Sequence, residues 1–164
     1  TGAMGFSGDD GRTSIFDYCS IPTLVRWYNN GNCGIQKLNN KERKIRAFYK
    51  KVLRLCNGEK AISEGAFFDL MYVNYHNLNP NKQYLYLRHY ENETLLIAVN
   101  FDSQDATVYA DIPQHAFDFL KIDSGTYFMK ELISGKQKTV EFSSNAKFEL
   151  HIPAHNGVVW KIVK

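Results

Sequence analysis

Residues 84–101, Tyr84-Leu85-Tyr86-Leu87-Arg88-His89-Tyr90-Glu91-Asn92-Glu93-Thr94-Leu95-Leu96-Ile97-Ala98-Val99-Asn100-Phe101, decide the fold. The first seven alternate in polarity, Glu91-Asn92-Glu93 supplies a turn, and Thr94 to Phe101 returns as an apolar run, which together predict a β-hairpin. The alternation sends Leu85, Leu87, Ile97 and Val99 toward one shared core and sets Tyr84, Tyr86 and Tyr90 on the opposite face. Sugar rings stack on such tyrosine platforms through their C–H faces. The same rings can equally bury themselves against a neighbouring strand or domain with the hydroxyl left wet.

Around the hairpin the chain keeps strand character. Segments 66–70, 106–112, 126–133, 137–142, 147–152 and 157–163 read as further strands, giving eight with the hairpin. Ser134-Gly135 joins two of them as a second hairpin, and Pro113 and Pro153 sit just past strand ends, where a missing N–H costs little. No helix between them is predicted to be long enough for a parallel crossover. The expected fold is therefore mainly β, an antiparallel Greek-key β-sandwich of about eight strands.

Upstream the period changes. Ile45, Phe48, Tyr49, Val52, Leu53 and Cys56 recur at helical spacing, which predicts one amphipathic helix over 40–56. Asn39 or Asn40 can cap its start, Glu42 suits its first turn, and Asn57-Gly58 offers a left-handed stop. Residues 1–37 carry neither period and read as a loop-rich N-terminal segment with a turn of helix near Pro22 to Trp27. So long a loop implies a role of its own or a path over another surface.

Composition narrows the function. The chain of 164 residues is 44% hydrophobic and 23% charged, as in one globular domain or a domain with an appended segment. No run approaches the roughly 18 apolar residues of a membrane span, and no signal peptide opens the chain, so a soluble protein without a membrane partner is expected. The net charge of +3 is uneven: Lys41, Arg43, Lys44, Arg46, Lys50, Lys51 and Arg54 against Glu42 make 40–56 +6 and the rest −3. That pattern describes a solvated helix face, and no nucleic-acid partner is expected. Cys19, Cys33 and Cys56 lack zinc or disulfide spacing and are read as free, mostly buried thiols.

The chemical motifs are sparse. Asp9-Asp10 lie in a Gly-flanked loop with no opposing acid, and Pro153 prevents His151 and His155 from sharing a helix face for a metal. Ser14, Ser20 and Ser63 lack a nucleophile-elbow setting. No catalytic residue, metal site or cofactor is expected.

Several segments resemble a known family. Gly8-Asp9-Asp10-Gly11-Arg12-Thr13-Ser14-Ile15-Phe16-Asp17-Tyr18, then Ile21-Pro22 and Arg26-Trp27-Tyr28-Asn29, resemble the end of the catalytic barrel in bacterial α-amylase-like members of glycoside hydrolase family 13. Phe48-Tyr49-Lys50-Lys51-Val52-Leu53-Arg54-Leu55-Cys56 is similar to the last barrel helix, and Gly65-Ala66-Phe67-Phe68-Asp69-Leu70 to the entry of the C-terminal β domain. Tyr86-Leu87-Arg88, Leu95 to Phe101, Pro153 and Gly157-Val158-Val159-Trp160 resemble that domain's strands; Cys19 stands where the family pattern leads us to expect Trp.

The resemblance implies that residues 1–57 are a remnant of a (β/α)₈ barrel with its last helix, and 58–164 a β-sandwich domain. The family's catalytic carboxylates and its late Asn-His-Asp are absent, so the implied role is a non-catalytic part of an α-glucan hydrolase that stabilises the barrel. Ile45, Phe48, Tyr49, Val52 and Leu53 would face the rest of that barrel. The alternative is a starch- or oligosaccharide-binding module using Tyr84, Tyr86 and Tyr90. In isolation the helix stripe would be covered by residues 1–37, through Ile15, Phe16, Leu24, Val25 and Trp27, by self-association, or by both. Retaining hydrolysis needs two carboxyl groups about 5–5.5 Å apart on a rigid frame. The purified chain is accordingly expected not to hydrolyse starch, maltooligosaccharides or aryl α-glucosides; turnover abolished by mutating Asp9 or Asp10 would contradict this.

Overall fold

The computed structural model of the protein describes residues 21–163. The readings that fall on Asp9, Asp10, Ser14, Ile15, Phe16, Cys19 and Ser20 lie outside them. The chain divides into two compact units between Lys51 and Val52.

In the first unit, helix α1 (Pro22–Tyr28) begins on a proline, whose missing N–H is harmless in a first turn. A short 3-10 turn, Asn29–Gly31, follows, and helix α2 (Asn40–Gly58) starts in this unit and ends in the next. Asn39 caps α2 reciprocally: its Oδ1 accepts from Glu42 N–H at 3.0 Å, and Glu42 Oε2 accepts from Asn39 N–H at 2.8 Å. The expected left-handed stop at Asn57-Gly58 is not used. Gly58 stays helical, and extended Glu59 (φ −97°, ψ 111°) ends the helix before the short α3 (Lys60–Ser63). Cys33 is exposed rather than buried, and Cys56 is half-buried.

The second unit is mainly β and contains the eight strands found among the described residues: β1 (Ala66–Asp69), β2 (Gln83–Tyr90), β3 (Glu93–Asn100), β4 (Ala106–Asp111), β5 (Gly125–Glu131), β6 (Gln137–Phe142), β7 (Lys147–Ile152) and β8 (Asn156–Val163). All pairings are antiparallel. Six strands form one sheet in the order β1-β2-β3-β8-β5-β6, and β4 pairs with β7 in a second. Two further helices lie between strands, α4 (Met71–Asn74) and α5 (Gln114–Leu120). Helix α5 is an addition to the sequence reading. Its stripe of Ala116, Phe117 and Leu120 is buried, but seven residues are too few for the period to stand out.

The main core lies between the sheets. Leu85, Leu87, Leu96, Ala98, Trp160 and Ile162 of the large sheet meet Val108, Ala110, Phe148, Leu150 and Ile152 of the small one, with Phe117 of α5 against Phe142. One expectation is corrected here. The hairpin pairs Leu87 with Leu96 and Tyr86 with Ile97, so Ile97 and Val99 share the face of Tyr86 and Tyr84, not that of Leu85 and Leu87. The turn has two residues, Glu91 and Asn92, with Tyr90 paired to Glu93. A three-residue turn would have shifted the register by one and put every β3 side chain on the other face.

β3 is consequently buried on both sides. Leu96 and Ala98 belong to the main core, while Leu95 and Ile97 form a second cluster with Ala61 on the outer face, joined by Ile62, Tyr86, Tyr90, Val99, Leu132 and Val159. At the far end of the large sheet, edge strand β6 points Lys138 inward. Its ammonium sits 4.8 Å from the Trp160 ring centroid and donates to the Glu149 carbonyl of β7 at 3.1 Å. Burial lowers the Lys138 pKa.

If both faces of β3 are true core, Leu95→Ala and Leu96→Ala should each cost about 2–5 kcal/mol in urea unfolding. A much smaller loss at Leu95 would restore the single-core picture.

Candidate functional site

The outer face of the large sheet is held at one end by a polar clamp. Arg88 donates to the Ala61 carbonyl at 2.8 Å and to the Ile62 carbonyl at 2.7 Å, which satisfies the C-terminal carbonyls of the α3 segment. Glu93 accepts from the Ala61 N–H at 2.8 Å, and Lys161 bridges Glu59 and Glu93 at 2.6 and 3.0 Å. Burial works against both charges, yet the pairing prevails: the Glu93 pKa is held below its ordinary value and the Lys161 pKa above it. Gly65 lets the backbone approach closely, because a Cβ there would lie 2.4 Å from the Ala61 carbonyl and 2.7 Å from that of His89.

Beyond the clamp the same face opens into an apolar groove of about 590 Å³. Its walls include Phe67, Tyr84, Tyr86, Val99, Phe101 and Val159, with the last turns of α2 (Val52, Leu55, Cys56) at one side. Three rings form a ladder: Phe67 and Tyr86 centroids are 5.4 Å apart, Tyr86 and Tyr84 5.6 Å. Burial raises the phenol pKa of both tyrosines, more than Asp69 does for Tyr84, so both stay neutral hydrogen-bonding groups at ordinary pH.

The structure therefore separates the three predicted tyrosines. Tyr84 and Tyr86 line the groove, whereas Tyr90 lies outside it with the Lys60 ammonium 5.4 Å from its ring. The apolar residues of the helix stripe are half-buried or exposed, Ile45, Tyr49 and Leu53 each by about 60%, and no residue of α2 is buried. Within the first unit, Leu24, Val25 and Trp27 are exposed as well. Within this unit the described part of the N-terminal segment thus leaves Ile45, Phe48 and Tyr49 open. Phe67, Phe101 and Val159 are groove residues that the sequence reading missed. The signal for them was the unbroken apolar run of β3, which marks a strand covered on both faces.

Among the described residues, no three His, Cys, Asp or Glu side chains gather as a metal site, and no helix is long and apolar enough to cross a membrane. His151 Nε2 lies 3.5 Å from Asp105.

Within the first unit α1 and α2 are joined by charge. Glu42 accepts from Arg26 Nε at 3.1 Å and from Thr23 Oγ1 at 2.7 Å, and it pairs with the other side of the Arg26 guanidinium. These bonds, with the Asn39 N–H, lower the Glu42 pKa from 4.5 to about 2. A carboxylate with a depressed folded pKa stabilises fully above its unfolded value and loses that contribution as pH falls through the folded one. The junction should accordingly weaken between pH 4.5 and about 2. An NMR titration of the Glu42 carboxyl should show this, and a midpoint near the ordinary glutamate value would contradict the pairing.

No family model and no curated protein sequence matches the chain. Solved structures do. The α-amylase from Geobacillus thermoleovorans in complex with acarbose superposes with a TM-score of 0.56 at 16% identity, over 82% of this chain and 24% of that one. The maltogenic α-amylase AmyB from Thermotoga neapolitana gives 0.55 at 15% identity, over 77% and 27%. α-Galactosidase I from Mortierella vinacea gives 0.50 at 17% identity, over 76% and 28%. The chain shares its fold with part of these glycosidases and spans about a quarter of their length, which bears out the fold that the family resemblance implied.

Proposed function

We propose that the chain is the non-catalytic C-terminal part of an α-glucan-hydrolysing glycoside hydrolase of the α-amylase type, and that it stabilises the catalytic barrel. Residues 1–57 are then the tail of the barrel, with the helix over 40–56 as its last, and 58–164 the β domain behind it. The observation that carries this reading is the apolar groove on the outer sheet face, which the described residues leave unfilled although the strand beneath it is buried on both sides. An aromatic and aliphatic surface of this kind marks a docking face. The barrel is the favoured occupant on two grounds. The fold is shared with α-amylase chains about four times longer than the matching part, and the family's catalytic carboxylate motifs do not occur in the sequence.

On this reading the stripe of Ile45, Phe48, Tyr49, Val52 and Leu53 meets the remaining barrel helices and strands, and the groove with Phe67, Tyr84 and Tyr86 meets the barrel's outer surface. In the isolated chain these surfaces favour self-association. The binding-module reading through Tyr84, Tyr86 and Tyr90 fits less well, since two of the tyrosines stand in a docking groove and the third lies outside it.

Expressing the coding sequence that precedes Thr1 together with this chain should give a protein that hydrolyses maltooligosaccharides. In it, Phe48→Glu or Val99→Glu should lower the thermal midpoint by several degrees while kcat/KM at low temperature stays close to the parent's. A longer protein without α-glucanase activity, or a midpoint unmoved by either substitution, overturns the proposal.

A further inference from the structure

A second aromatic surface lies on the other side of the same edge strand. Successive residues of β1 face opposite ways, so Phe67 enters the groove while Phe68, paired with Leu87, points to the inner side. There the Phe68 ring lies 5.1 Å from the His115 ring and 5.9 Å from Phe119, and His115 lies 5.7 Å from Tyr72. The Tyr72 hydroxyl and His115 Nε2 are joined by a hydrogen bond. Four rings from three elements thus form one row, yet its outer members are not buried: Tyr72 is 49% exposed and Phe119 62%.

The row has a polar border. Gln114, at the start of α5, donates to Asp118 Oδ1 at 3.0 Å and accepts from Ser144 Oγ at 2.8 Å. Its amide carries a second N–H and its oxygen a second lone pair, and Asp118 a second oxygen. Exposed rings fixed by mutual contacts, beside neutral donors and acceptors with one carboxylate, match a ligand with an apolar C–H face and a rim of hydroxyls. Its border of Gln114, Asp118 and Ser144 supplies no positive charge for a phosphate-bearing ligand and is too polar for a wholly apolar one. Because the rings are already held in place, a ligand would order few side chains on binding.

We infer that Tyr72, His115 and Phe119, bordered by Gln114 and Asp118, form a surface site for a neutral oligosaccharide, of the α-glucan class if the proposed function holds. The α-glucan assignment rests on that reading; the site itself rests on the row of rings. Since Phe68 and Phe67 face opposite ways, occupation of the groove by a barrel leaves this row accessible.

The test uses the 164-residue chain. Affinity electrophoresis through soluble starch, and chemical-shift titration with maltoheptaose, should show binding at the Tyr72, His115 and Phe119 resonances. Tyr72→Ala and Phe119→Ala should each weaken it about fivefold to tenfold, the effect of losing one ring contact. Tyr72→Phe should keep most of it, and Tyr109→Ala, which removes an exposed ring elsewhere, should change nothing; an unaltered amide spectrum certifies each fold. Binding of neither maltoheptaose nor cellohexaose overturns the site, as does maltoheptaose binding that Tyr84→Ala abolishes and Tyr72→Ala spares. Binding of cellohexaose alone, lost in Tyr72→Ala, overturns the α-glucan assignment. Loss of the Tyr72 site leaves the barrel-docking reading standing, which the longer protein tests separately; only binding abolished by Tyr84→Ala would count against both.

Discussion

Burial of β3 on both faces is the constraint on which the β unit turns. A strand with Leu95 and Leu96 both fully inaccessible cannot belong to a sheet with one wet side. The inner face is met by the β4-β7 sheet and α5, which explains why the chain builds a second sheet of only two strands. The outer face is met by α3 at one end, and beyond it the described residues provide aromatic and aliphatic walls, with the last turns of α2 at one side and an open groove between them. The same physical demand that makes the sandwich thus leaves a surface suited to another protein layer.

The charged clamp beside that surface follows from the same demand. Seating α3 on an apolar sheet would strand its backbone polar groups away from water, and Arg88 and Glu93 supply the missing partners, while Lys161 pairs with Glu93 and Glu59. Half-buried charges tolerate this position because each meets a partner of opposite sign or a backbone group. The clamp therefore fixes where α3 sits, and with it where the covered part of the face ends and the open part begins.

Much of this was legible in the sequence. The eight strands stand out because turn residues and prolines punctuate them, and α2 stands out because its apolar period runs for several turns. The face assignment within the central hairpin was not legible. Glu91 occupies the left-handed region at φ 52° without being Gly or Asn, so the usual marker of a two-residue turn was missing, and a turn read one residue too long inverted β3. The grooved face was misread for the same reason, since Ile97 and Val99 were set on the face opposite Tyr84 and Tyr86 instead of beside them. The Tyr72 row escaped notice because its members are far apart in sequence, meeting only through the pairing of β1 and the packing of α5.

The inward-pointing lysine of β6 has a consequence for how copies of this protein meet. An open strand edge is a template on which the strand of another molecule can add, and repeated addition leads to fibrils. β1, at one edge of the large sheet, is only four residues long, and β6, at the other, carries Lys138 where alternation would place an apolar side chain. A strand sliding onto β6 would have to strip the remaining water from an ammonium already partly desolvated and compete with the Glu149 carbonyl for it. The sheet is thus poor material for polymerisation through its edges, even while its outer face stays adhesive.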